Sequence, residues 1–135
     1  MKHDAWRSTG NAVFLLNDHF VWSTKYRKPV LIAPIDNRIQ ELLQQLCEAA
    51  GIEVIRSEVM TDHLHLFVWA KPALSPAGIM QVLGGKLADL LFREFPDLRK
   101  QLWGGALWNP SYTVGTAGEG SAQTIVRYIE SQKTK

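Results

Sequence analysis

The stretch Ile52-Glu53-Val54-Ile55-Arg56-Ser57-Glu58-Val59-Met60-Thr61-Asp62-His63-Leu64-His65-Leu66-Phe67-Val68-Trp69 decides the fold. Ile52 to Met60 reads as one strand and His63 to Trp69 as another, with Thr61-Asp62 as the tight turn between them, so the two should pair as an antiparallel hairpin. A strand sends residues i and i+2 to one face, roughly 7 Å apart. Leu64 and Leu66 therefore enter a core, while His63 and His65 leave it together.

Upstream of the hairpin, Asn11 to Lys25 is expected to hold the first strand, most β-like at Phe20-Val21-Trp22-Ser23-Thr24. Tyr26 to Pro29 forms a basic exit. Ile35, Ile39, Leu42, Leu43, Leu46 and Ala50 then recur at helical spacing, and Gly51 stands where a helix C-terminus favours glycine. Downstream, Ser75-Pro76 caps and opens a second helix, with Ile79, Val82, Leu83, Leu87, Leu90 and Leu91 as its apolar stripe. Gly84-Gly85 within it costs about 2 kcal/mol relative to alanines, which points either to a close approach by another group or to a helix break. Leu102 to Val114 reads as a glycine-containing loop leading into a fourth strand, Thr116 to Gly120 as a flexible stretch, and Ser121 as the cap of a final helix over about residues 121–132. The order strand, helix, strand, strand, helix, strand predicts an α+β, ferredoxin-like (RRM-like) antiparallel sheet with helices on one face, plus a C-terminal helix. The other face stays available to the imidazoles.

A chain of 135 residues is expected to form a single domain over 1–135, and 46% hydrophobic content is enough for a globular core. The formal net charge of +2 does not by itself indicate a nucleic-acid partner, although Lys25, Arg27 and Lys28 cluster, as do Arg127, Lys133 and Lys135. With Cys47 the only cysteine, an internal disulfide and a cysteine-rich zinc site are both excluded, and Cys47 is expected in the core. The N-terminus lacks a signal-peptide pattern, and the apolar run Leu66 to Ala70 is far shorter than the roughly 20 residues of a membrane span. A soluble, intracellular protein without membrane contact is expected.

Two constellations carry chemistry. His63 and His65 can grip one divalent cation, with Asp62 placed to fix the turn or orient a ring. The ordinary alternative is a pair of half-buried strand histidines bonded to backbone. Tyr128 and Gln132, at i and i+4, share a stripe of the final helix, so a helix crossing the strand brings a phenol and an amide oxygen to the imidazoles. Two imidazoles and an amide leave coordination positions open, as catalysis requires. Mg²⁺ or Mn²⁺ suits mixed nitrogen and oxygen donors, and imidazole also suits zinc. The cation's work would be to polarise a phosphate oxygen. A free phenol has a pKa near 10 and attacks poorly until assisted; by default a helix tyrosine merely packs its ring. His3, in a frayed terminus, and His19, an ordinary strand residue, are expected to have no special role.

At these residues the chain resembles the HUH single-tyrosine transposases, the TnpA-type enzymes of bacterial and archaeal insertion sequences. The resemblance rests on four blocks in order: His19-Phe20-Val21-Trp22-Ser23-Thr24-Lys25-Tyr26-Arg27, Glu58 to Leu66, Leu102 to Tyr112, and Tyr128-Ile129-Glu130-Ser131-Gln132. It implies that His63, His65 and Gln132 bind the metal and that Tyr128 is the nucleophile. It also implies cleavage of single-stranded DNA beside hairpin ends through a 5′-phosphotyrosine, strand rejoining without ATP, and a homodimer with composite (trans) sites. A cytoplasmic, nucleoid-associated prokaryotic enzyme follows. Thr61 departs from the proline the family more often has there, which should alter only the turn. Lys25, Tyr26 and Arg27 could supply phosphate and stacking contacts. The rival readings are a non-catalytic single-stranded nucleic-acid-binding module on the same scaffold, a histidine phosphoesterase, and a domesticated relative acting on genomic palindromes. No aromatic-glycine RNA-recognition motif and no paired His-x-Thr motif stands in the chain.

Overall fold

Two helices with apolar stripes and a sheet with one apolar face have to remove those surfaces from water, and they do so against one another. The computed structural model describes residues 7–9, 12–14, 17–71, 74–103 and 105–117. A short hairpin, β1 (Arg7–Thr9) and β2 (Ala12–Phe14), precedes the main unit. That unit runs β3 (Asn17–Thr24), a 3-10 turn (Lys25–Arg27), α1 (Ile35–Ala49), β4 (Glu53–Val59), β5 (His63–Trp69), α2 (Pro76–Glu94), α3 (Pro96–Gln101) and β6 (Trp108–Ala117).

The sheet order is β4-β5-β3-β6 and every neighbouring pair is antiparallel. This is the ferredoxin-like arrangement expected from the element order. Phe20 and Trp22 of β3 and Leu64, Leu66 and Val68 of β5 pack with Ile39, Leu43, Leu83, Leu87 and Leu91 of the two long helices. The helical spacing in α1 holds, with Ile35, Ile39, Leu42, Leu43 and Cys47 buried, and Gly51 follows at φ +74°. In α2 the Ser75 hydroxyl accepts the Gly78 N–H at 3.0 Å and Pro76 is the first helical residue. Val82, placed on the buried stripe by spacing, is instead exposed.

Four expectations need correction. The strand expected over Asn11 to Lys25 begins at Asn17, because Ala12–Phe14 pairs with Arg7–Thr9 in a separate sheet. It stops at Thr24, because the next residues curl into the 3-10 turn with Tyr26 at φ 59° and Arg27 at φ 53°. Thr116 and Ala117, read as the start of a flexible stretch, pair with Asp18 and Asn17 in β6. The loop reading ahead of the fourth strand overlooked α3, which buries Leu98. Of the glycine pair, only Gly84 is closely approached: the Trp108 indole N–H donates to its carbonyl at 3.0 Å, while a Cβ on Gly85 would meet nothing within 4 Å. The terminal helix expected over 121–132, together with His3, Tyr128 and Gln132, lies outside the described residues.

Candidate active site

The outward face of β5 carries both expected imidazoles. Their ring centroids are 5.3 Å apart with planes at 71°. Leu64 and Leu66 behind them are fully buried, so the strand cannot rotate to exchange the two faces without emptying the core. A cavity of about 370 Å³ opens beside them, with Arg27, His63, His65, Asn109, Ser111 and Tyr112 among its walls. The strand pairing that builds it sets Ser23 opposite His63 and Val21 opposite His65.

His63 is oriented from behind. Its Nδ1 lies 2.7 Å from Asp62 Oδ1, and Arg27 Nε donates to Asp62 Oδ2 at 3.0 Å. Burial pushes the Asp62 carboxyl upward, but the hydrogen bonds from His63 and Arg27 outweigh it and hold the pKa below the usual carboxylate value. An ionised carboxylate only accepts, so His63 Nδ1 carries the proton and its lone pair is on Nε2. Asp62 is itself anchored, since its carbonyl accepts from the Thr24 N–H at 2.9 Å and the Thr24 hydroxyl at 3.2 Å. The Thr24 hydroxyl also reaches the Lys28 carbonyl at 2.8 Å, closing the turn that presents Arg27.

His65 is in a different environment, only 4% exposed. Burial is the main reason its pKa is lowered to about 4; His19 and His63 push the same way, and Glu58, opposite it on β4, pushes back. His65 is thus neutral at pH 7. Its Nδ1 lies 3.2 Å from His19 Nε2, with the two rings stacked at 5.4 Å and 15°. This corrects the expectation that His19 has no special role. The signal was present: His19 has the same parity as Val21 and Ser23 on β3, opposite in direction to Phe20 and Trp22.

The donor set fits a divalent cation in kind. Both Nδ1 atoms face protein groups, which leaves Nε2 of each ring as the nitrogen to ligate. Among the described residues no three His, Cys, Asp or Glu side chains gather to hold a metal. Two imidazoles alone are an incomplete set, so the remaining donors have to come from elsewhere.

The turn Lys25–Arg27 divides its labour. Arg27 reaches inward to Asp62, while Tyr26 is 70% exposed with Lys25 Nζ 5.5 Å above its ring. Trp103, not singled out in sequence, is 84% exposed at φ 59°, with Lys28 Nζ 5.0 Å from its ring. A Cβ on Gly105 would lie 3.6 Å from Lys25 Nζ, which places that loop against the same turn. Two bare aromatic faces among lysines suit stacked bases and phosphates.

A family described as "Transposase IS200 like" matches residues 12–132, nearly the whole chain. The chain belongs to this IS200-like transposase family. It is 39% identical to the ISDra2 transposase TnpA of Deinococcus radiodurans, over 91% of this chain and 88% of that protein. It is 29% identical to the transposase for insertion sequence element IS200 of Salmonella typhimurium, over 84% and 74% of the two. A crystal structure of a candidate transposase from D. radiodurans superposes with a TM-score of 0.78 at 36% identity, covering 93% of this chain and 97% of that one. A REP-associated tyrosine transposase bound to a REP hairpin shares the fold at a TM-score of 0.61 and 9% identity, over 90% and 70% of the chains. The family makes this chain a DNA transposase in class. The sheet face that carries the imidazoles is where its candidate chemistry sits.

Proposed function

We propose that this transposase cuts and rejoins single-stranded DNA beside hairpin ends with Tyr128 as nucleophile and His63, His65 and Gln132 as ligands of Mg²⁺ or Mn²⁺. The single observation that carries the reading is the pair of imidazoles projecting from β5 beside a polar cavity, each with Nδ1 occupied from behind. A bound cation would supply charge to polarise a phosphate oxygen. The phenol oxygen of Tyr128 attacks phosphorus, the bond to the 3′ oxygen breaks, and a 3′-hydroxyl and a 5′-phosphotyrosine result. A second 3′-hydroxyl then attacks the phosphotyrosine, the tyrosyl oxygen leaves, and a new phosphodiester forms. The number of ester bonds is conserved, so no ATP is needed.

Lys25, Tyr26 and the Lys28–Trp103 pair form the proposed DNA contact surface, with Arg27 divided between Asp62 and phosphate. Hairpin recognition is supported by the hairpin in the structural relative of the same fold. A homodimer with the Tyr128 helix of one subunit serving the histidines of the other accounts for a remote nucleophile. No helix among the described residues is long and apolar enough to cross a membrane, and a cytoplasmic, nucleoid-associated enzyme is the setting this reading implies.

The test is incubation of the full chain with a hairpin-bearing single strand and Mn²⁺, followed by mass spectrometry. A DNA adduct on the Tyr128 peptide is expected, and Tyr128→Phe should abolish it while retaining hairpin binding. An adduct of undiminished yield in Tyr128→Phe would refute the nucleophile.

A further inference from the structure

We propose that His19 is the positioning residue for His65: its Nε2 accepts the Nδ1–H of His65 and so holds that ring in the tautomer whose Nε2 lone pair faces outward to a cation. The inference rests on the reading of His65 as a metal ligand and adds a residue to it.

The geometry allows only two arrangements of one proton between these rings. His19 Nε2 and His65 Nδ1 are 3.2 Å apart, so one nitrogen donates and the other accepts. If His19 were the donor, neutral His65 would carry its proton on Nε2 and have no lone pair to offer there. If His65 is the donor, Nε2 is free of its proton. A cation drawing electrons from Nε2 makes the Nδ1–H more acidic and strengthens its bond to an acceptor. Water has little access to a ring 4% exposed, so the acceptor has to come from the protein. His19 is suited to the task because burial keeps it, too, toward the neutral form, in which one nitrogen can accept. It is also held in place: Phe67, fully buried, meets the His19 ring edge-on at 6.1 Å. Asp62 does the same for His63 with a carboxylate. The two ligands are thus each backed on Nδ1, one by a charged group near solvent and one by a neutral ring in the sheet.

The experiment begins with the metal-free full chain, labelled with ¹⁵N-histidine, in long-range ¹H–¹⁵N NMR at pH 7. The expected result is a protonated Nδ1 and an unprotonated Nε2 on His65; a proton on Nε2 overturns the proposal without any variant being made. Mn²⁺ titration followed by EPR, with thermal unfolding as a check on folding, then compares two substitutions. His19→Leu removes the acceptor and should weaken Mn²⁺ binding about 10- to 100-fold. His19→Gln, whose amide oxygen accepts, should stay within about threefold of the parent chain. Unchanged Mn²⁺ binding in His19→Leu, or equal loss in both variants, overturns the proposal. His65→Ala separates the two readings: undiminished Mn²⁺ binding there removes His65 from the ligand set, while the tautomer spectrum still decides what His19 does.

Discussion

His63 and His65 leave the same face of one strand two residues apart, yet they occupy opposite electrostatic settings. The His63 side chain is 20% exposed and bonded to an ionised carboxylate that an arginine steadies. His65 is buried, stacked on another imidazole, and kept neutral by desolvation. A carboxylate behind a ligand raises its basicity and tolerates solvent, whereas a neutral ring behind a ligand sets the tautomer without placing a charge in the sheet. The sheet thus orients two like donors by unlike means, each suited to its depth.

The sharpest way to break that contrast is truncation. His63→Ala and His65→Ala should each abolish Mn²⁺-dependent cleavage, but only His65→Ala should also lower stability, by about 2 kcal/mol, because it empties buried space. Chemical denaturation of both variants beside a cleavage assay checks this, and equal stability would show that depth does not separate the rings. Next in size, Asp62→Asn should cut Mn²⁺ affinity about 10- to 100-fold by unsettling the His63 tautomer. Arg27→Ala, which removes an exposed ion-pair partner worth at most about 1 kcal/mol, should cost fivefold or less by the same titration.

The smallest effect is a pH dependence. His65 has a pKa of about 4 in the fold and an ordinary value near 6.5 when unfolded. Between those values the unfolded chain binds a proton that the native chain refuses, so stability falls as pH drops from about 6.5 toward 4. His19 acts in the same direction. Asp62, its folded pKa depressed, contributes its stabilisation above the ordinary carboxylate value and loses it only at lower pH. The thermal midpoint measured at pH 7 and pH 5 should therefore decrease, and His65→Ala should flatten the slope.

The hairpin of β4 and β5 was legible because alternation of Leu64 and Leu66 with histidines permits only one face assignment. The stripe of α1 and the Ser75-Pro76 start of α2 were equally local signals. The N-terminal hairpin was missed although Gly10-Asn11 is a two-residue turn pair, because the apolar run beyond it reads as one strand. Lys28 and Trp103 meet across 75 positions of chain, and nothing in either local pattern signals their contact.

By itself the sequence determined which residues are chemically able to act, and that His63 and His65 must share a face, because period-two alternation and the need to bury leucines are local constraints. Tertiary structure alone decided that His19 lies against His65, that Arg27 turns inward to Asp62, and that one imidazole is wet and the other dry. Those outcomes depend on strand register and on depth within the sheet, which arise only when β3 is laid beside β5.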